Sequence, residues 1–194
     1  MIDNCQVFNY TERFMYKGTN KTALCSQNNI ADTFVQLLRE EDYTSISVSR
    51  ICKAAQVSRQ TFYSLFESKE NIILYELSRK HTFQPGVSCE SKSLSLEELS
   101  YEYSNYIQEK KEFLALLVEN DIIYLMHECL FDSFINCSCF EPERSQGYRE
   151  FVAEFFAGGL CGIAKIYISQ GCKLSQARLH DMIYELFSGN YLIK

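Results

Sequence analysis

An all-helical protein is predicted for this chain of 194 residues on three observations. Apolar residues recur at helical spacing along most of the length, and no segment of ten residues alternates strictly between apolar and polar. Proline is confined to Pro85 and Pro142. Hydrophobic residues make up 46% and charged residues 23%, so the chain has the material for a buried core, and disordered or fibrous architectures are excluded for its bulk.

Residues 20–40 place Ile30, Phe34, Leu37 and Leu38 on one helical face. Two short helices follow. Ser47 to Ala55 gathers Val48, Ile51, Cys52 and Ala55 on one side, and Ser58 to Phe66 gathers Phe62, Leu65 and Phe66, with Ser47 and Ser58 placed as N-caps. Only Gln56 and Val57 separate them. A fourth helix is predicted from Ser68, carrying Ile72, Ile73 and Leu77 inward, before the polar stretch Gln84 to Ser93, which holds a proline and a glycine and reads as a domain boundary.

Beyond it, Ser95-Leu-Glu-Glu98 is a capping box, in which serine and glutamate satisfy each other's unpaired backbone N–H groups. A helix bearing Leu99, Tyr103 and Tyr106 follows, and further helices are predicted over Phe113–Glu119, Ile122–Ile135, Tyr148–Ser169 and Ser175–Ser188. Cys137 to Gln146 reads as a loop. Met1 to Thr19 shows no helical period and is expected to be a mobile arm.

Apolar runs such as Phe113–Val118 fall short of the roughly 20 residues a bilayer span needs, so no membrane helix is expected. The N-terminus lacks the basic-then-apolar layout of a secretory signal, and a cytoplasmic protein is expected. Nine cysteines, an odd number, argue against a disulfide framework. Cys137 and Cys139 are one residue apart and lack the spacing of a zinc knuckle, so most cysteines read as small buried hydrophobes. No metal or cofactor is expected. The three histidines, His81, His127 and His180, have no nucleophile or carboxylate partner at motif spacing, and no glycine loop for phosphate is present, which argues against an enzyme.

The net charge of −6 hides a split. Residues 17–80 hold nine Lys/Arg against seven Asp/Glu, a net +2, whereas residues 81–194 hold nine against sixteen, a net −7. Only the N-terminal third suits phosphate.

Two short helices joined by a tight turn, the second opening with a serine cap and a basic residue, form a helix-turn-helix pattern. Its residues go further than its spacing. Val57-Ser58, then Thr61-Phe62-Tyr63, Phe66 and Ser68-Lys69-Glu70, preceded by Leu37-Leu-Arg-Glu-Glu-Asp-Tyr43 and Ser47-Val48, closely resemble the DNA-binding domain of the TetR/AcrR family over roughly residues 20–80. The resemblance implies an all-α protein with an N-terminal three-helix helix-turn-helix DNA-binding domain (20–80) after the arm (1–19), and a C-terminal helical bundle (81–194) for dimerisation and effector binding.

It also implies residue roles. Ser58 to Ser64 is the recognition helix, with Arg59, Gln60 and Thr61 at the end that reaches base edges. Tyr63, Lys69 and Ser47 are expected to meet phosphates, and Arg50, with Lys53, to add electrostatic attraction. Asp42 and Gln56 depart from the family's pattern, standing where glycine is common. Gln56 costs up to about 1 kcal/mol if its φ is positive.

The acidic half resembles the family's regulatory half more loosely. Phe155-Phe-Ala-Gly-Gly-Leu-Cys-Gly-Ile163 looks like a dimer-forming helix, in which Gly158, Gly159 and Gly162 permit close approach of another helix. Phe155, Ile163, Leu179, Met182, Leu186 and Phe187 complete the expected homodimer face. Tyr103, Tyr106, Phe113, Tyr124, Met126, His127, Phe131 and Phe134 are candidates for a small-molecule effector pocket. The expected function is a repressor, released from an approximately palindromic double-stranded DNA operator by an unknown small-molecule effector. The alternative is a coactivator or interaction module whose C-terminal half binds a protein partner. Thiol sensing through Cys129, Cys137 or Cys139 ranks third.

Overall fold

The computed structural model describes residues 16, 18–79, 95–135 and 146–189, and these fall into two compact units divided after Arg79. The expected all-α fold is the one observed. The first unit contains α1 (Lys21–Glu40), α2 (Val48–Ala55), α3 (Arg59–Leu65) and α4 (Lys69–Ser78), with a 3-10 turn at Tyr43–Ser45 that the periodicity did not announce. The second contains α5 (Leu96–Glu119), α6 (Tyr124–Ile135), α7 (Gln146–Ser169) and α8 (Gln176–Ser188).

Side-chain caps set the starts of six helices. Asn20, Ser47, Ser58, Ser68 and Ser175 each accept a bond from a backbone N–H two or three residues on, which satisfies a donor the first turn otherwise leaves unpaired. At α5 the capping box is complete: Glu98 N–H donates to Ser95 Oγ at 3.1 Å, and Ser95 N–H donates to Glu98 Oε2 at 3.0 Å.

The first unit closes around Ile30, Phe34, Ile46, Ile51, Phe62, Phe66, Ile72 and Ile73, all essentially inaccessible to solvent. Tyr16, within the expected mobile arm, is tied down: its N–H donates to Leu65 O at 3.2 Å and its carbonyl accepts from Gln27, a buried polar side chain of α1. Residues 1–15 and 17 of that arm lie outside the described residues, as do the Gln84–Ser93 boundary and all but Gln146 of the predicted Cys137–Gln146 loop. Gln146 itself opens α7.

In the second unit the principal packed pairs are α6 with α7 and α5 with both α7 and α8. The two helices predicted on either side of Tyr106–Phe113 are one 24-residue helix. The charged stretch Gln108-Glu-Lys-Lys-Glu112 interrupts the apolar period, but its residues are good helix formers that hold the helix through the interval. Ala153, Ala157, Leu160 and Ala164 form the inner face of α7 and are fully buried. Tyr103 donates its hydroxyl to Leu160 O at 2.8 Å, and burial pushes that phenol well above its ordinary pKa.

Residues Gly147–Ser169 make a helix long and apolar enough, by length and composition alone, to cross a membrane, a test that the core helix of a folded bundle also passes. Of its most apolar window 39% is buried, so part of its apolar face lies at the surface.

Candidate nucleic-acid interface

The connection between α2 and α3 is built to be tight. Gln56 closes α2 in the left-handed conformation, at φ 56° and ψ 40°, with its own N–H and that of Val57 directed to Cys52 O. Asn29 of α1 donates to Ala55 O at 2.8 Å, satisfying a carbonyl that the end of α2 leaves open. Asp42, the other position where glycine was expected, lies at φ −59° and ψ 139°. It is extended backbone and needs no left-handed tolerance.

Ser58 caps α3 and leaves the start of that helix at the surface. Ser58, Arg59 and Gln60 are exposed, Thr61 is half-buried, and Tyr63 is 53% exposed with its ring set edge-on to Phe62. Apolar Phe62 and Leu65 point inward and hold this outward array in register. Arg59 donates to Ser49 of α2 while keeping other guanidinium protons, and Ser58 and Thr61 share a hydroxyl bond at 2.9 Å. Thus one surface carries the types suited to base edges, Arg59, Gln60 and Thr61, beside a phenol suited to phosphate.

The remaining predicted contact residues sit differently. Ser47 uses its Oγ to cap α2, accepting from Arg50 N–H at 3.2 Å. Arg50 is paired with Glu41, its Nη2 2.7 Å and its Nε 3.0 Å from one carboxylate oxygen, so much of its charge is spent inside the unit. Lys53 is exposed. Lys69 is half-buried and donates to Tyr43 O at 2.8 Å and Ile46 O at 3.2 Å.

Of the effector-pocket candidates, Tyr103, Tyr106, Phe113, Met126 and Phe134 are buried in the bundle, the two tyrosines with rings stacked 6.0 Å apart. Phe131 and His127 are half-buried, and His127 faces Glu154 at 3.0 Å. Tyr124 is exposed and is not part of that interior. Cys137 and Cys139 lie outside the described residues. At Cys129, burial, with the nearby Asp132 charge, pushes the thiol up to about 12, opposite to the shift a reactive thiolate requires.

The predicted dimer residues divide. Phe155, at 60% exposure, lies on the outer face of α7 with Gly158 and Gly162, both exposed with open space where a Cβ would stand. Phe151 and Ile166 extend this stripe at helical spacing, and sequence reasoning that followed the glycines missed them. Ile163 and Met182 are half-buried and Leu186 is exposed. Gly159 and Phe187 instead meet each other: a Cβ at Gly159 would stand 2.8 Å from the Phe187 ring, which stacks on Phe156 at 5.0 Å. Leu179 is a correction. It is fully buried in its own protomer, because the inward face of α8 packs Leu179 and Ile183 in the bundle.

Comparison with known proteins agrees with this geometry. The family described as "Bacterial regulatory proteins, tetR family" matches residues 30–75. The HTH-type dhaKLM operon transcriptional activator DhaS of Lactococcus lactis subsp. lactis (strain IL1403) is 26% identical over 190 residues, covering 86% of this chain and 90% of that protein. Among solved structures, a "Dihydroxyacetone kinase operon activator DhaS" is similar at a TM-score of 0.50 and 21% identity, and a TetR transcriptional regulator from Streptococcus agalactiae 2603V at 0.53 and 19%. Each comparison covers 86% of this chain and 96% of the other, and shows the fold.

Proposed function

From its membership of the TetR family of DNA-binding regulators, we propose that this chain acts as a homodimer that reads an approximately palindromic operator and controls transcription from it. The observation that carries the reading is the exposed start of α3. Arg59, Gln60 and Thr61 stand there with Tyr63 on a capped helix, and Tyr63 keeps 53% of its surface exposed beyond its edge contact with Phe62. Gln60 and Arg59 read bases, Thr61 supports them, and Ser58, Tyr63 and Ser47 engage the backbone, while Arg50, held by Glu41, adds at most a weak general attraction. The chemistry is binding and not catalysis. A cytoplasmic location goes with a DNA partner.

The second copy is supported by α7. Its outer stripe of Phe151, Phe155 and Ile166, with Gly158 and Gly162 between them, has the shape of a surface that another α7 approaches closely. Two-fold pairing presents two α3 helices to two half-sites. For the sign of regulation, the Lactococcus relative bears the name of an operon activator, which favours activation over effector-released repression. In either case the buried aromatic interior of the second unit is where a small molecule would act, and a protein partner on its surface is the alternative occupant.

The test is selection of bound duplexes from a random DNA pool at about physiological salt, where phosphate attraction alone is weak. A palindrome is expected. Gln60→Ala then relaxes preference at particular base pairs, whereas Tyr63→Phe weakens all sequences alike. No recovered motif, from folded dimeric protein, would refute the reading in favour of a protein partner.

A further inference from the structure

Lys69 opens α4 next to the surface just described, where a lysine is an obvious phosphate contact. Its ammonium is nonetheless directed into the unit. One proton goes to Tyr43 O at 2.8 Å and another to Ile46 O at 3.2 Å, and the group lies 3.8 Å from the centre of the Tyr43 ring. Those carbonyls belong to the first residue and to the C-cap of the 3-10 turn joining α1 to α2, and Ile46 immediately precedes Ser47, the cap of α2. The next residue of α4 holds the same tyrosine by its side chain: the Tyr43 hydroxyl, on a largely buried ring, donates to the Glu70 carboxylate. Burial alone would push the Glu70 carboxyl up, but the bonds from Tyr43 and Ser68, its own backbone N–H and the Lys69 charge outweigh it and hold the group below its ordinary value.

A consecutive cation and anion thus hold one tyrosine by its carbonyl, its ring and its hydroxyl. What they fix is the backbone entering α2, on which α3 packs. Given the DNA-binding reading, on which this inference rests, we propose that Lys69 is a positioning residue: with Tyr43 and Glu70 it clamps the start of α2 to the start of α4, and it sets the DNA-facing geometry without itself touching phosphate.

The two roles give opposite results. A lysine on a phosphate releases counterions, so its loss flattens the slope of log K against log salt by about 1, and an arginine replaces it well. A lysine seated on two carbonyls leaves the slope alone, and the planar guanidinium does not reproduce its point-like donor geometry.

The experiment measures binding by fluorescence anisotropy over a salt series, using the tightest duplex recovered from the random pool. Parent protein is compared with Lys69→Met, Lys69→Arg and Tyr43→Phe, well below their unfolding temperatures. Lys69→Met and Lys69→Arg are both expected to weaken binding about 5- to 50-fold at the parent slope. Tyr43→Phe, which loses only a hydroxyl, is expected to weaken it in the same direction. Hydrogen exchange on the DNA-free proteins is expected to show faster exchange at residues 45–51 in Lys69→Met. If Lys69→Met does not fold, Tyr43→Phe carries the test. A slope flattened by about 1 in Lys69→Met, or full affinity in Lys69→Arg or Tyr43→Phe, overturns the proposal. Unchanged exchange in Lys69→Met overturns the clamp itself. Parent protein that binds no duplex, with exchange still accelerated in the variant, overturns the DNA-binding reading and with it the consequence for DNA, while the clamp stands.

Discussion

Three glycines within five residues of α7 are expected to respond to alanine in different ways. Replacing a helix-interior glycine by alanine stabilises the helix by about 1 kcal/mol, because alanine loses less backbone entropy. At Gly158 and Gly162 the new methyl enters open space in the protomer, so nothing there offsets the gain. At Gly159 it would stand 2.8 Å from Phe187 Cζ, a ring held by stacking on Phe156 and edge contact with Phe155, so the aromatic cluster must shift. Overpacking of that kind costs about 1–3 kcal/mol, which cancels or exceeds the propensity gain. Between two copies the order changes. If a second α7 lies as close as glycine permits, each methyl at Gly158 or Gly162 occurs twice across the two-fold axis, for a total of about 2–6 kcal/mol against association, or roughly 30-fold to above 10⁴-fold in the dimer constant. Dimer dissociation by sedimentation across a dilution series, together with urea unfolding, separates the effects. Gly158→Ala and Gly162→Ala are expected to dissociate more readily without a less stable protomer, and Gly159→Ala to lower the unfolding midpoint or leave it level. Alanine at 158 and 162 that leaves the dimer constant untouched would refute the close-approach argument.

Two further substitutions follow from backbone and charge. Gln56→Gly relieves a left-handed residue whose side chain is exposed, and after the added freedom of glycine in the unfolded chain a net gain of about 0.5–1 kcal/mol is expected, seen as a higher urea midpoint, with Gln56→Ala nearly neutral because it keeps the Cβ. A loss of stability in Gln56→Gly would show that the side chain matters more than the strain. Asp132 has a carboxyl raised to about 6 by burial and by Glu128, so the folded state holds its proton more tightly than the unfolded chain. Stability therefore falls as pH rises from about 4 through 6, and Asp132→Asn is expected to remove that fall, worth about 1 kcal/mol at pH 7 after allowance for solvent screening. Parallel pH profiles for parent and variant would exclude this account.

The N-terminal elements were legible because their signals are local. Serine and asparagine caps fix helix starts within three residues, and the Gln56-Val57 interval admits nothing but a tight turn. What could not be read there is the fate of long side chains. Arg50, Lys69 and Arg79 look alike in sequence as surface cations, yet Arg50 lies against Glu41, Lys69 on two carbonyls, and Arg79 against Asp32 and Glu76. Their partners lie between 3 and 47 residues away, and helical spacing carries no information about the distant ones. In the second unit the differences share a cause. A period shows which residues share a face but not what covers it, so it cannot tell that Leu179 packs inward while Leu186 stays exposed, or that α5 runs on through its charged stretch.

The pairing of those cations bears on how an acidic protein reads DNA. With a net charge of only +2 over residues 17–80, and three of the nine positive side chains committed internally, attraction to phosphate is a weak source of affinity for this unit. Weak general attraction is an advantage for discrimination, because competing non-specific sites are bound through that same term. On the proposed reading the affinity comes from groups whose placement matters: Tyr63, Gln60, Thr61 and Arg59 on a short helix with little rigidity of its own. A seven-residue helix holds a geometry only if its neighbours hold it. That gives a purpose to the bonds from Asn29 to Ala55 O, from Arg59 to Ser49, and from Lys69 to Tyr43 and Ile46. Side chains spent on bracing α2 and α3 are withdrawn from the attraction of phosphate, so loss of a brace is expected to cost specific binding more than non-specific binding.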